Sequence, residues 1–312
     1  MPDKTVLAFL APGQGSQTPG MLTEWLELPG AADRIASWSE ISGLDLARLG
    51  TTANAEEITD TAVTQPLVVA ATLLAFEQLT ERGVLTGDEQ IVAAGHSVGE
   101  IAAYAIAGVI SADEAVALAA TRGREMAKAC ALEPTGMSAL LGGDEAEVLA
   151  RLEALDLIPA NRNAAGQIVA AGALAALEKL AEDPPARARV RPLATAGAFH
   201  TRYMAPALAE YTTVADRINP VEPSVTLLSN ADGRPVASAA DAMAKLVAQM
   251  TRPVRWDLCT ATMRELEVTA LVEFPPAGTL SGIAKRELKG TPTHPVKSPT
   301  DLDGLAEALR AV

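Results

Sequence analysis

The chain has 312 residues, of which 49% are hydrophobic, and a formal net charge of −14. That size suits one large domain with an insertion, or two domains, and leaves ample material for a core. The acidic balance and the 3% aromatic content argue against nucleic-acid binding. No apolar run reads as long enough to span a membrane. The apolar segment Val6 to Ala11 is too short for a signal peptide, so a cytoplasmic protein is expected. Cys130 and Cys259 do not make a disulfide framework and read as buried free thiols. No Cys/His spacing of the zinc type occurs, so no metal is expected.

In chain order, Val6 to Ala11 reads as a buried strand, followed by the glycine-rich loop Pro12-Gly13-Gln14-Gly15-Ser16-Gln17. The loop is not a dinucleotide fingerprint, because Thr18 holds the third glycine position. Helical patterns fill about 22–79. Ile91 to Ala94 is a short apolar strand, and 100–107 reads as a helix. Ser111 with Glu114 forms a capping box that opens a helix over about 112–131. Strands alternating with helices imply α/β architecture with a mostly parallel sheet.

The rhythm changes near Pro134. Met137 to Leu141 reads as a strand, Gly142-Gly143 as a turn, and 144–155 as a helix with Val148, Leu149, Leu152 and Leu155 on one face. A strand region at 163–172, a helix at 174–181 and a strand at 188–194 follow. With an extra strand near 157–161 this is a β-α-β-β-α-β set of the ferredoxin-like kind. Residues 132–196 are therefore expected to form an inserted subdomain, with 1–131 and 197–312 forming the main domain. Beyond the re-entry, 227–230 reads as a strand and turn, and 238–250 as a helix with Ala242, Met243, Leu246 and Met250 facing inward. A strand at 268–274, a helix from about Thr279 and a strand at 295–297 close the chain.

Gly95-His96-Ser97-Val98-Gly99 fits the Gly-x-Ser-x-Gly nucleophile elbow and stands between the predicted strand and helix. Such a turn lifts the serine hydroxyl to the positive end of a helix, which suits acyl transfer. A serine nucleophile needs a base, and the chain has three histidines. His96 adjoins Ser97, and neighbouring side chains diverge. His294 has the late position usual in α/β-hydrolases, but it sits beside an edge strand. His200 follows a run of small residues at the junction with the insertion, where clefts form, and is favoured. Arg122 interrupts an apolar helical stripe of Ala115, Leu118, Ala119, Met126 and Ala129, so its charge needs an anionic partner. Either an internal carboxylate or a substrate carboxylate would serve.

Six segments in order resemble the malonyl-CoA:acyl carrier protein transacylases. They are Gly13-Gln14-Gly15-Ser16-Gln17, Gly95-His96-Ser97-Val98-Gly99-Glu100, Thr121-Arg122-Gly123, Asn163-Ala164-Ala165-Gly166-Gln167, Ala198-Phe199-His200 and Gln249-Met250-Thr251-Arg252-Pro253-Val254. The resemblance spans essentially the whole chain and implies an α/β-hydrolase-like domain with a ferredoxin-like insertion. It implies Ser97 as acylated nucleophile and His200 as general base. The N–H groups of Gln14 and Val98 would form the oxyanion hole, and Arg122 would hold the malonyl carboxylate. The Gln249 main-chain carbonyl would position His200, and Asn163 and Gln65 would line the cleft. Phe199 and Val98 look malonyl-like by comparison with polyketide acyltransferases. The implied substrate is malonyl-CoA and the implied partner acyl carrier protein, in a ping-pong reaction of a monomer with no metal or redox cofactor. A serine hydrolase, a discrete polyketide-synthase acyltransferase and a non-catalytic carrier-binding protein are the competing readings. For carrier docking, Arg187, Arg189 and Arg191, or Lys285, Arg286 and Lys289, are the basic candidates.

Overall fold

In the computed structural model, which describes residues 5–85 and 87–310, the apolar run Val6–Ala11 forms β1 and every residue of it is buried. A strand covered on both faces has to be apolar throughout rather than alternating. The predicted helical stretch after it is three helices, α1 (Ala31–Ser42), α2 (Leu46–Thr51) and α3 (Thr61–Glu81). The breaks have local causes. Gly43 takes the left-handed conformation that ends α1, and the Asp45 and Asp60 carboxylates cap α2 and α3 by accepting from the N–H groups of Arg48 and Ala62. Then come β2 (Gln90–Gly95), α4 (Gly99–Ile106) and α5 (Ala112–Cys130), the last opened by the capping box of Ser111 and Glu114.

The next six elements form a second sheet and its helices: β3 (Thr135–Gly142), α6 (Glu145–Ala154), β4 (Ile158–Ala164), β5 (Gln167–Ala173), α7 (Leu174–Glu182) and β6 (Ala188–Pro192). The predicted strand region at 163–172 is a hairpin turn and parts of two strands. Ala165-Gly166 is the turn, with Gly166 at φ +69°, so Asn163 lies on β4 rather than β5. The chain continues through α8 (Leu208–Ala215), β7 (Thr226–Leu227), α9 (Ala239–Ala248) and β8 (Val254–Arg255). It ends with α10 (Trp256–Glu265), β9 (Ala270–Glu273), α11 (Thr279–Glu287), β10 (Thr293–Pro295) and α12 (Pro299–Arg310). The helix expected over 238–250 stops at Ala248 and tightens into a 3₁₀ turn at Gln249–Thr251.

The main sheet has the order β10-β9-β1-β2-β7, and each of its strand pairs is parallel. The second sheet has the order β6-β3-β5-β4-β8. Its first four strands pair antiparallel, and β8, from outside residues 132–196, adds a parallel fifth. The molecule is thus an α/β protein in which the inserted sheet is tied to the main body by a strand of the main body.

Phe9, Phe76 and Phe274 meet edge to face at centroid separations of 6.2, 5.4 and 5.8 Å where α3 crosses the sheet. Each such pair contributes about 0.5–1.5 kcal/mol beyond area burial. A methyl at Gly123 would stand 2.7 Å from the Thr61 carbonyl oxygen, so α5 lies directly on the start of α3. The expectation of no membrane-length apolar run needs correcting. By length and composition α3 meets that criterion, and 78% of its apolar window is buried inside the fold. It is the central core helix, covered by α1, α4 and α5. Cys259 is buried and free as expected, whereas Cys130 is free but only half-buried.

Candidate active site

The loops that leave the C-terminal ends of β1, β2 and β7 converge, as parallel α/β sheets dictate. The elbow after β2 explains its own glycines. A methyl at Gly95 would lie 2.1 Å from the Gly99 carbonyl carbon, and one at Gly99 would lie 2.2 Å from the Ala11 carbonyl oxygen. Only glycine permits that approach of backbone to backbone. Ser97 itself has φ +55°, a left-handed conformation that L residues rarely adopt. The turn is held by hydrogen bonds. The Ser97 N–H donates to Asn230 Oδ1 at 2.9 Å, the Gly99 N–H to His96 O at 3.0 Å, and the Glu100 N–H to Ser97 O at 3.0 Å. The Val98 N–H, among these, has no acceptor among the described residues. It sits at the open first turn of α4, where the helix supplies none.

Ser97 Oγ lies 2.7 Å from His200 Nε2, and His200 Nδ1 lies 2.8 Å from the Gln249 carbonyl oxygen. A carbonyl can only accept, so Nδ1 carries the proton and Nε2 presents its lone pair to the serine hydroxyl. His200 is 1% exposed. Burial, with the Arg122 charge second, pushes its pKa down to about 3, so the ring is a neutral base at ordinary pH. The preceding small residues matter sterically. A methyl at Gly197 would meet Cys130 Sγ at 2.5 Å, so a larger residue there would have to push the Cys130 side chain at the end of α5 aside.

The other two histidines are elsewhere engaged. His96 Nε2 bonds Asn163 Oδ1 at 2.8 Å, and the ring packs edge-on against Trp256. His294 lies on the outer strand β10, opposite Val272 and away from the cleft.

Arg122 is 1% exposed. Its Nη1 donates to Gln65 Oε1 at 2.8 Å and its Nη2 to Gln249 Oε1 at 2.9 Å. Its Nε has no partner among the described residues. Burial lowers its pKa, but a guanidinium starts so high that it stays charged. Of the two partners open to it from sequence, no internal carboxylate forms an ion pair with it among the described residues. Both of its acceptors are neutral amides, and further donors remain.

A cleft of about 250 Å³ joins these groups. Ser97, His200, Arg122, Gln14 and Gln65 line it from the main body, Asn163 lines it from β4 of the inserted sheet, and Phe199 lies at its wall. The inserted sheet supplies the other side through Met137, Ala139, Asn161 and Val169. Gln249 is behind the wall rather than on it, touching both His200 and Arg122. Gln65 turns its amide oxygen to Arg122, and Asn163 turns its own to His96. The six basic docking candidates are exposed. Arg286 donates to Gln167 on the cleft lining at 2.6 Å, and Arg191 pairs across the sheet with the cleft residue Ala139.

Two residues of the site were not singled out from sequence. Asn230, in the turn three residues beyond β7, accepts from the Ser97 N–H, donates to Gly95 O at 2.7 Å and is fully buried. Glu100, on α4, is also fully buried. A carboxylate inside the otherwise apolar helix after an elbow is a signal that could have found it. The cysteines are poor nucleophiles here, since burial pushes Cys130 to about 11 and Cys259 well above its usual value.

Residues 8–300 match the model of the acyl transferase domain family. The chain belongs to that family. It is 77% identical to the malonyl CoA-acyl carrier protein transacylase of Mycolicibacterium smegmatis over 289 residues, covering 91% of this chain and 99% of the relative. Its fold matches the crystal structure of MCAT from Mycobacterium tuberculosis with a TM-score of 0.95 at 73% identity, covering 96% and 99% of the two chains. A malonyl-transacylase solved in complex with a type II PKS acyl-carrier protein matches with a TM-score of 0.91 at 29% identity, covering 97% and 100%. The acyltransferase architecture of this protein is therefore that of its family, with an α/β main body and the inserted sheet over the cleft.

Proposed function

We propose that this acyltransferase moves the malonyl group from malonyl-CoA to the phosphopantetheine thiol of acyl carrier protein through a malonyl ester on Ser97. His200 Nε2 takes the Ser97 proton as Oγ bonds to the thioester carbonyl carbon. The oxyanion that forms is stabilised by the Gln14 and Val98 N–H groups. The carbon–sulfur bond breaks, and coenzyme A leaves as a thiol with the proton from His200. The carrier thiol then enters, His200 takes its proton, and the same steps run in reverse to free Ser97. The scheme is ping-pong and uses no metal or redox cofactor. We further propose a cytoplasmic monomer whose two partners, malonyl-CoA and the carrier, use the cleft in turn.

The observation that carries the reading is Arg122, a buried cation with spare donors and only neutral partners, in the same cleft as the Ser97–His200 pair. A substrate carboxylate completes its bonding, and an acetyl group cannot. The test is incubation with malonyl-CoA, with and without the carrier bearing its phosphopantetheine, followed by intact mass. Malonyl-carrier should accumulate much faster than free malonate. Free malonate as the main product would make the protein a hydrolase, and unmodified substrates would make it a binding protein.

A further inference from the structure

Glu100 is fully buried, yet no cation among the described residues bonds it. Its Oε1 accepts from the Asn230 backbone N–H at 2.6 Å and its Oε2 from Gln249 Nε2 at 2.6 Å. The same Nε2 lies 2.9 Å from Ser97 O and 3.1 Å from Asn230 Oδ1. Three acceptors therefore surround the amide nitrogen of Gln249, while the amide oxygen faces the Arg122 guanidinium at 2.9 Å. Turned over, the amide would set its oxygen against a carboxylate and its N–H groups against a cation. Charge on both sides thus dictates one orientation.

We propose that Glu100 is a positioning residue for carboxylate recognition: through the Gln249 amide it holds the Arg122 guanidinium in place and balances its charge at one remove. The inference rests on the reading of Arg122 as the seat of the acyl carboxylate. The intervening amide matters chemically. A direct Glu–Arg pair would fill the fork that the substrate needs, whereas a neutral bridge leaves donors open and the cation in place. Acyl groups without a carboxylate gain nothing from that arrangement, so its loss weakens malonyl more than acetyl, and the ratio of the two cancels any effect on the Ser97 turn that both share.

The charge state of Glu100 supports the geometry. Burial, opposed by the Asn230 and Gln249 hydrogen bonds and by the charges of Arg122 on α5 and Lys245 on α9, raises its pKa to about 7. The other titratable groups that face it are Tyr104 on α4, Tyr211 on α8 and Cys259 on α10, all raised by burial and neutral near pH 7. Protonated Glu100 carries a donor, which removes the reason for the Gln249 amide to keep its nitrogen toward it. Malonyl preference is then weakened on the acid side.

The experiment compares kcat/KM for malonyl-CoA and acetyl-CoA in the wild type, Glu100→Gln, Arg122→Ala and the double variant. Glu100→Gln should lower the malonyl-to-acetyl ratio about tenfold, and it should add no further change once Arg122 is Ala. An unchanged ratio in Glu100→Gln, beside a reduced one in Arg122→Ala, overturns the role of Glu100 and leaves the Arg122 reading intact. An unchanged ratio in Arg122→Ala removes that reading itself. A lowered ratio that adds independently in the double variant also overturns the proposal. Should Glu100→Gln not fold, the wild-type ratio serves. It should fall on acidification with a midpoint near pH 7, while substrate carboxylates remain ionised throughout. A ratio flat from about pH 8.5 to 5.5 overturns the proposal.

Discussion

Replacing His200 by Ala should lower malonyl transfer by about 10⁴-fold or more, because a nucleophile and its base act as one unit. His294→Ala should leave transfer within about twofold in the folded protein, because His294 lies on the outer strand β10 away from the cleft. Steady-state rates of the two purified variants decide between them. If the losses were reversed, the base would be the late histidine of the ordinary α/β-hydrolase layout. The acid side of the rate profile adds a check. A pKa depressed to about 3 keeps His200 neutral as pH falls, so kcat/KM for acetyl-CoA should not drop between pH 8 and 6 on its account. The same depression has a stability consequence. Folding favours the neutral ring, so this contribution is present above the ordinary histidine value and is lost as pH falls from there toward 3.

Arg122→Ala should lower the ratio of malonyl to acetyl specificity constants by about 100-fold or more. Sites built to pair a substrate group discriminate strongly against analogues lacking it, and the variant removes the group that does the pairing. Arg122→Lys should rescue only part of the ratio. An ammonium is a point charge and cannot donate to Gln65, Gln249 and a carboxylate in one plane. The variant also leaves two buried amide oxygens unpaired, which lowers stability. Measuring both substrates on one preparation removes that effect from the ratio. A ratio equal to wild type in the folded variant would make Arg122 a purely structural cation.

Much of this site is legible where the cause is local. The elbow announces itself because its glycines are demanded by contacts within a few residues of Ser97 or with the adjoining strand. Helix α5 was readable from its capping box and apolar stripe, and Arg122 from its interruption of that stripe. Legibility fails where partners are distant in sequence. Asn230 bonds the Ser97 N–H across 133 residues, from the turn after a strand of two residues that has no readable period. Strand β8, equally short, exists only because β4 is there to pair with it. The Gln249 side chain was missed because a motif identifies its main-chain role, while its amide bonds depend on Glu100, Ser97 and Arg122 meeting in space. The single strand region expected at 163–172 hid a hairpin because Ala165 is apolar and one glycine, Gly166, is enough for the turn.

The central claim is that Ser97 carries the acyl group between donor and acceptor. The most direct measurement is brief exposure to malonyl-CoA without carrier, acid quench, intact mass and peptide mapping. The mass should rise by one malonyl group, the label should sit on the peptide containing Ser97, and added carrier should remove it. No label on Ser97, or label on Cys130 or Cys259 instead, would contradict the account.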